Sequence, residues 1–402
     1  MSKNKKTTPK KHAALPEDQD DALTHSLVSL AVEITGLKDS VSMQDALKPR
    51  QGELQKLIRK CLQQRKDDVL LEALETTLDE DSDAYLLLKE AIEDASENIL
   101  FRRDDGRELE VNAFVIPLFA HTDGGLRIDQ CFQDEEAFDL LRKSIQDAKL
   151  ESDDASVVLV SHAYHLDEIE EIGFSQLHEM IREAYETMTR KKITATPAIT
   201  RSMSGWPENH FAPTDRAVEL RFLLGFTLKR LDDPFYRVPE KEAAADRYFE
   251  ARAARFRRWT TLVAPLIKRC LVTDGRDIDV DFLYQDLFHG GKERGIAEYD
   301  MLQMMSELHH GLQVNGIAAE HTRAIIGPTD AGGGMALRVN LYASADDALV
   351  ASSDKPLGIV FDLQAEADDA FDALSTIGVT SLSIAKRFDE DGRPVDARPY
   401  RR

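Results

Sequence analysis

The chain has 402 residues, of which 42% are hydrophobic and 31% are charged. This length predicts two or three domains, and this composition excludes a collagen, a mainly disordered chain and a disulfide scaffold. Because 73 acidic residues outnumber 51 basic ones, the formal net charge is −22, and a nucleic-acid partner is disfavoured.

The N-terminus and the cysteines indicate the cellular compartment. Residues 1–16 hold five lysines and no acidic residue, and we predict a disordered basic tail because such a segment buries no core. No secretory signal and no run of about 18 apolar residues occurs, so no membrane partner is predicted. Cys61, Cys131 and Cys270 are few and far apart. This odd, sparse set suits a reducing compartment, and we predict a cytoplasmic protein.

Residues 17–100 carry apolar residues at helical spacing. One stripe contains Leu54, Leu57, Ile58 and Leu62, and comparable stripes precede and follow it. Each predicted helix therefore has one strongly apolar face that must be buried against another surface. A helical bundle and a partner-binding surface both satisfy this requirement.

From residue 101 the pattern changes to strands that alternate with helices. The run Val111–Ile116 is rich in β-branched and aromatic residues and predicts a largely buried strand. Pro117 near its end favours an edge position or a bulge. Further elements are predicted in the order helix, strand, helix and strand, over 135–147, 156–161, 166–191 and 216–229. We therefore predict a first α+β portion over residues 101–238.

A long helical pattern occupies residues 240–270. Its apolar seam repeats at alternating spacings of four and three residues, through Phe249, Ala253, Phe256, Thr260, Val263, Ile267 and Cys270. Pro265 should kink or split this helix. We predict it as the connector into a second α+β portion, so that residues 239–402 form one domain.

The rest of the chain predicts a second sheet with its own helices. The predicted elements are strand, helix, three strands, helix and strand, over 277–288, 294–314, 317–327, 335–343, 357–363, 366–377 and 380–388. A β-α-β-β-α-β order with one extra strand fits a ferredoxin-like sandwich. The predicted fold class is therefore α+β, with an N-terminal helical segment followed by two α/β portions. Both portions have largely antiparallel sheets, and the second is ferredoxin-like.

A glycine-rich turn before a predicted helix is the first candidate site. Its candidate anion-binding residues are His289, Gly290, Gly291, Lys292 and Arg294. Backbone N–H groups at a helix N-terminus bind anions, and the two cations would add charge to a phosphate site. The Walker pattern fails because Ile296 follows the last glycine of the loop, and no G-x-G-x-x-G occurs. A strand-to-helix turn that needs glycine is the alternative.

The block Ile296–Leu308 follows this turn and contains a stripe of methionines. Here the sequence resembles an uncharacterised betaproteobacterial family that carries a domain of unknown function, and the resemblance covers most of the chain. It implies a cytoplasmic protein, and it transfers no activity and no catalytic residue. The methionine stripe is more typical of core packing than of a cofactor site.

The segment 196–214 is the second candidate site, because long irregular loops often carry binding residues. Its candidate ligand-binding residues are Arg201, Trp206, Asn209 and His210. The alternative is a loop whose tryptophan only packs against the core.

The helical pattern over residues 247–269 interleaves arginines with aromatic residues, and arginines so placed can contact the phosphates of RNA. Acidic neighbours such as Glu242 and Glu250 favour another interpretation, as does the negative net charge. A basic patch of this kind pairs with an acidic partner or with the protein's own N-terminal helices.

Histidines and nucleophiles form no complete site in the sequence. His162 and His165 follow a predicted strand, with Asp167 and Glu168 close by. Positions three apart on a strand point to opposite faces, so these histidines converge only if the chain turns there. No local set supplies the three or four ligands that zinc needs, and no G-x-S-x-G elbow occurs. We therefore predict no metal and no cofactor, and the sequence leaves enzymatic activity open while favouring none.

These features predict a non-catalytic binding or regulatory protein with a protein partner. Two alternatives remain. One is an enzyme or sensor that binds a phosphorylated small molecule at residues 289–295. The other is an RNA-associated factor that uses the arginine-rich helix over 247–269.

Overall fold

The computed structural model describes residues 16–38, 44–122, 126, 132, 134–148, 150, 155–189, 218–232, 238–271, 277–282 and 291–401. Within them, helices come first and mainly antiparallel sheets follow, which confirms the predicted α+β class. The chain divides into two compact units, Met1–Gly291 and Lys292–Arg402. Apart from Pro16, the predicted basic tail lies outside the described residues, as does Cys131.

Four helices open the first unit: α1 (Pro16–Lys38), α2 (Gln44–Gln63), α3 (Asp67–Glu80) and α4 (Ser82–Glu97). Helix α4 begins where the Asp81 carboxylate accepts hydrogen bonds from the N–H groups of Asp83 and Ala84. The apolar stripes of the four helices face one another, and Leu27 and Ile58 are fully buried. Of the two predicted uses of these stripes, the structure therefore selects the helical bundle.

The sheet of the first unit contains five strands: β1 (Asn98–Arg102), β2 (Glu108–Thr122), β3 (Ser156–His165), β4 (Val218–Arg230) and β5 (Ile278–Phe282). The order is β1-β2-β4-β3, and β5 also pairs with β2. Because β4 pairs along nearly all of β2, β1 and β5 share the other edge of that strand. Pro117 lies between the parts of β2 that pair with β1 and β5, so it interrupts neither pairing.

Helices cover both faces of this sheet: α5 (Glu135–Ala148), α6 (Leu166–Glu170), α7 (Phe174–Thr189) and α8 (Glu242–Cys270). On one face, α5 packs against β3 and α8 packs against β5, and Phe256, Val263 and Ile267 of the predicted seam lie in the core that they share with the sheet. Helix α7 and the bundle helix α4 contact the sheet as well. The long helix predicted as a connector therefore belongs to the first unit. Phe256, Val263, Ile267 and Cys270 of its seam are buried there, whereas Phe249 is exposed. The division of the chain falls after Gly291 rather than after residue 238.

The second unit has its own sheet and helices: α9 (Gly291–Asn315), β6 (Thr322–Asp330), β7 (Met335–Ala343), β8 (Leu349–Pro356), α10 (Leu363–Thr376), β9 (Leu382–Ile384), β10 (Arg387–Phe388), β11 (Pro394–Val395) and β12 (Arg398–Pro399). The sheet order is β12-β9-β6-β7-β8, with β9 parallel to β6. Helices α9 and α10 pack on one face of it, and Met304 is buried in this core. The prediction that the methionine stripe fills a core is confirmed.

The ferredoxin-like order predicted for the second portion requires correction. It needs a strand before α9 in the same sheet, but that strand, β5, pairs with β2 in the first unit. The order in the second unit is therefore α-β-β-β-α-β. The strand predicted over 357–363 also lies earlier, at Leu349–Pro356. Its sequence is polar, and it becomes a strand because it pairs along β7.

Candidate binding groove

A groove of about 710 Å³ lies between α5 and α8. Among the described residues its lining belongs to these two helices: Leu140, Lys143, Ser144, Asp147, Ala148, Arg255, Arg258, Trp259, Leu262 and Leu266. Trp259 is 2% exposed, and its indole N–H donates to Ser144 Oγ at 3.0 Å. The floor of the groove is therefore a fixed aromatic ring whose polar atom is satisfied.

Helical spacing explains why these residues share one surface. On α5 they lie at relative positions 0, 3, 4, 7 and 8, counted from Leu140, which places them on one face of the helix. On α8 the lining residues follow the same rule from Arg255 to Leu266. The next residues round each helix, including Leu141 and Val263, pack in the core. The groove is thus the open side of a helix pair whose other side holds the sheet.

The two helices run antiparallel, which gives the groove two different halves. Arg269 near the end of α8 pairs with Asp134 just before α5, while Trp259 in mid-helix meets Ser144 in the second half of α5. Along this alignment the charged residues gather in one half: Lys143, Asp147, Arg255 and Arg258. The leucines gather in the other half: Leu140, Leu262 and Leu266.

The cations of the groove differ from others on the same helices. Lys268 pairs with Asp279 at 2.6 Å, and this hydrogen bond raises the pKa of the lysine. Arg269 pairs with Asp134 at 2.8 Å. Three cations line the groove: Lys143, Arg255 and Arg258. Within the described part of the chain none of the three forms an ion pair, so their charge is available to a ligand.

The apolar half of the groove is unusually open for leucine side chains. Leu140 is 45% exposed and Leu262 is 65% exposed. Neighbouring exposed apolar side chains with a polar rim mark binding surfaces, and pockets that join apolar walls to a few polar groups bind ligands. The arrangement suits a ligand that has both an anionic part and an apolar part.

The anion-binding candidate is only partly described. His289 and Gly290 lie outside the described residues. Gly291 is buried and begins α9, while Lys292 is half-buried and Arg294 is exposed in its first turn. The acidic residue Glu293 lies between the two cations. The described residues amount to one helix N-terminus, which does not define a site, and the phosphate interpretation stays a prediction.

The loop candidates Arg201, Trp206, Asn209 and His210 all lie outside the described residues. In the sequence they precede Val218, where β4 begins. Their role in binding also stays a prediction.

The structure contains a buried ionic cluster that sequence reasoning missed. Arg221 and Glu219 on β4 are each 1% exposed and form an ion pair at 2.7 Å. Glu219 also accepts a hydrogen bond from the N–H of Leu126 at 2.8 Å. The signal available in the sequence was the presence of two charged residues inside the apolar run of β4, because charged residues are seldom fully buried unless they are paired.

The histidines beside this cluster are linked through one carboxylate. His162 Nε2 lies 3.0 Å from Glu168, which also accepts the backbone N–H of His165 at 2.6 Å. An irregularity in β3 between Leu159 and Ala163 interrupts the regular alternation of that strand. Burial lowers the pKa of His165, and the charge of Arg221 lowers it further. Among the described residues, no three His, Cys, Asp or Glu side chains are placed to hold a metal ion.

This geometry defines an α+β protein in which a helical bundle precedes two five-stranded sheets and a partly basic groove lies between two antiparallel helices. The chain belongs to the family of proteins of unknown function DUF2863, whose model matches residues 12–331. The predicted membership of an uncharacterised family is thereby confirmed, and its betaproteobacterial origin stays a prediction. No curated protein and no solved structure matches the chain. In the described segments, every helix is too short or too polar to cross a bilayer.

Proposed function

We propose that this chain is a non-catalytic binding protein that holds an anionic, partly apolar ligand in the groove between α5 and α8. The observation that carries the proposal is the placement of three cations, none of them ion-paired within the described segments, beside exposed leucines. A protein partner, as predicted from the sequence, is the source of the ligand that we favour.

Electrostatics and burial support this proposal in different ways. Lys143, Arg255 and Arg258 line one half of the groove together with the carboxylate of Asp147. An incoming carboxylate would lower the repulsion among them, and such charges mainly set specificity and association rate. Affinity would come from the leucines, because burying one leucine side chain contributes about 1.5–3 kcal/mol.

The RNA alternative receives less support from the same helix. Single-stranded nucleic acids bind by stacking their bases on exposed aromatic rings. Of the aromatic residues that alternate with the arginines of α8, Phe256 and Trp259 are only 3% and 2% exposed. Phe249 is 45% exposed, but it is not among the lining residues of the groove. Phe256 and Trp259 pack in the core of the first unit, and Trp259 on the groove floor leaves almost none of its ring surface accessible to a base.

We also propose that the protein works in the cytoplasm. Cys61 and Cys270 are buried thiols without a disulfide, as is usual in a reducing compartment. Burial raises the pKa of both thiols, that of Cys270 to about 12. Neither is a reactive thiolate, which fits a non-catalytic protein.

Tryptophan fluorescence tests the proposed groove. The chain has two tryptophans, so Trp206→Phe leaves Trp259 on the groove floor as the sole reporter. In this background, dodecanoate below its micellar concentration should shift the emission saturably and raise the melting temperature. Dodecyltrimethylammonium, with the same chain and a positive head group, should do neither.

Arg257→Ala is the matched control variant for this test. Arg257 is an exposed cation on α8 outside the groove lining. Lys143→Ala together with Arg258→Ala should weaken dodecanoate binding, whereas Arg257→Ala should leave it unchanged. Equal binding of dodecanoate and dodecyltrimethylammonium would refute the groove as an anion-selective site. So would a loss of dodecanoate affinity in Arg257→Ala as large as that in the double variant.

A further inference from the structure

We infer that the natural occupant of the α5–α8 groove is an acidic amphipathic helix of a partner protein, about three turns long. This inference rests on the function proposed above and narrows the class of ligand. The partner helix carries carboxylates at one end of its buried face and apolar anchors at the other end.

The walls of the groove argue for a helix over a small molecule. In the part of the chain that the structure describes, the lining residues belong to two helices, and neither a strand nor a loop of that part closes the groove. Small-molecule sites bury most of the ligand's surface, whereas Leu140 and Leu262 on the rims of this groove are largely exposed. A ligand here keeps its outer side in water, as an amphipathic helix does when it lies in an apolar groove.

The length of the lining sets the length of the occupant. From Arg255 to Leu266 the lining of α8 covers eleven residue steps, or about 16 Å at 1.5 Å per residue. On α5 the lining from Leu140 to Ala148 covers eight steps, or about 12 Å. A third helix packed along this pair would make contact over about three turns.

The antiparallel alignment of α5 and α8 determines which side chains the partner helix needs at each of its ends. Lys143, Arg255 and Arg258 require carboxylates on the partner. The leucine half, with Leu262 65% exposed, requires aliphatic side chains at helical spacing. Asp147 lies in the charged half and repels a carboxylate placed next to it, so the acidic residues of the partner must face the three cations.

A designed peptide tests this assignment directly. The probe has 14 residues with blocked ends, glutamates in its first two turns and leucines along one face. It is titrated against the full chain carrying Trp206→Phe, with the emission of Trp259 as the readout. Saturable binding that weakens as salt increases is expected, because part of the attraction is between exposed charges.

Two control peptides separate charge from helicity. In one, every glutamate is replaced by lysine; in the other, a central proline breaks the helix. Neither should bind within the concentration range that saturates the acidic peptide. Equal binding of the lysine peptide or of the proline peptide would overturn the inference.

Variants of the protein locate the peptide in the groove. Arg258→Ala should weaken binding by about fivefold, the upper range for one exposed ion pair, and Arg257→Ala should leave it unchanged. Leu262→Ala should weaken it as well. Because Arg258 and Leu262 are exposed, the variants should keep the wild-type melting temperature without peptide, which confirms that they fold.

The outcomes distinguish this inference from the proposed function. Binding of dodecanoate without binding of the acidic peptide would overturn the helix and leave the anionic groove standing. Binding of neither would overturn both. Peptide binding that Arg258→Ala does not weaken would place the peptide elsewhere and also overturn the inference.

Discussion

Trp259 and Ser144 are hydrogen-bonded across 3.0 Å although 115 positions separate them in the chain. The indole N–H donates to Ser144 Oγ, and that hydroxyl donates in turn to the carbonyl oxygen of Leu141 at 2.6 Å. Trp259 and Ser144 are both buried. The bond is therefore a polar link between α5 and α8 beneath the groove.

Ser144→Ala removes the acceptor of this buried indole N–H. We expect the free energy of unfolding to fall by about 1–3 kcal/mol, because a buried donor without a partner has lost its hydrogen bonds to water and forms none with the protein. Denaturant titration of the full chain measures the change. The same substitution should be less destabilising in a Trp259→Phe background, where the donor is absent. Equal losses in the two backgrounds would show that the hydrogen bond contributes nothing.

Gly225 in β4 leaves room for the ring of Phe114. A Cβ at this position would meet that ring and approach Leu159 Cδ2 to 2.7 Å, and both neighbours lie in the core. Gly225→Ala should therefore lower the free energy of unfolding by about 1–3 kcal/mol. Gly333→Ala is the control, because an added Cβ there meets no atom within 4 Å. Wild-type thermal stability of Gly225→Ala would contradict the close packing.

Substitutions of Glu219 and Arg221, which form a buried ion pair, should have non-additive effects on the free energy of unfolding. Arg221→Leu leaves the carboxylate buried without its cationic partner, and we expect the free energy of unfolding to fall by about 3–5 kcal/mol. The double variant with Glu219→Leu should be more stable than Arg221→Leu alone, because it removes both charges. Denaturant titrations of the wild type, Arg221→Leu, Glu219→Leu and the double variant complete a double-mutant cycle. Strictly additive losses would show that the two side chains do not depend on each other.

Stability should decrease in mild acid because of buried histidines. Burial lowers the pKa of His178 from its ordinary 6.5, against a smaller opposing effect of the hydrogen bond to the carbonyl of Ala95. The unfolded chain therefore takes up a proton at a pH where the folded protein does not. The stabilising contribution is fully present above pH 6.5 and is lost as the pH falls towards the lower folded value.

Unfolding free energies between about pH 7.5 and pH 5.5 check this prediction. His178→Asn should flatten the decrease, because the variant has no proton to take up at this position. His310→Asn, at an exposed position of α9, should leave the slope of the wild type unchanged. A wild-type slope in His178→Asn would assign the acid sensitivity to other groups.

The helices could be predicted from the sequence wherever apolar residues three or four positions apart form one buried stripe. The seam through Phe256, Val263 and Ile267 and the stripe through Met304 both lie in cores. Burial of such a stripe depends on residues three or four apart, and a short window of sequence contains all of them. The order of helices followed by sheets could be predicted for the same reason.

Strand partners were not visible, because pairing joins residues that are distant in sequence. β5 resembles the first strand of a ferredoxin-like sandwich and yet pairs with β2. β8, with its run of serine, aspartate and lysine, shows no apolar alternation and yet pairs with β7. Backbone hydrogen bonds to a neighbouring strand stabilise β5 and β8, and the local sequence of a strand does not show which strand it will pair with.

The amino-acid sequence by itself determined the α+β class, the helical N-terminal segment and the presence of an arginine-rich helix, since each depends on neighbouring residues. Only the tertiary structure decided which surface those arginines line. Lys143 and Arg258 are ordinary surface cations in their own segments, and they line one groove because α5 and α8 pack antiparallel on the same sheet. A binding surface depends on distances between side chains, and folding sets those distances by burying the apolar faces on the opposite sides of the two helices.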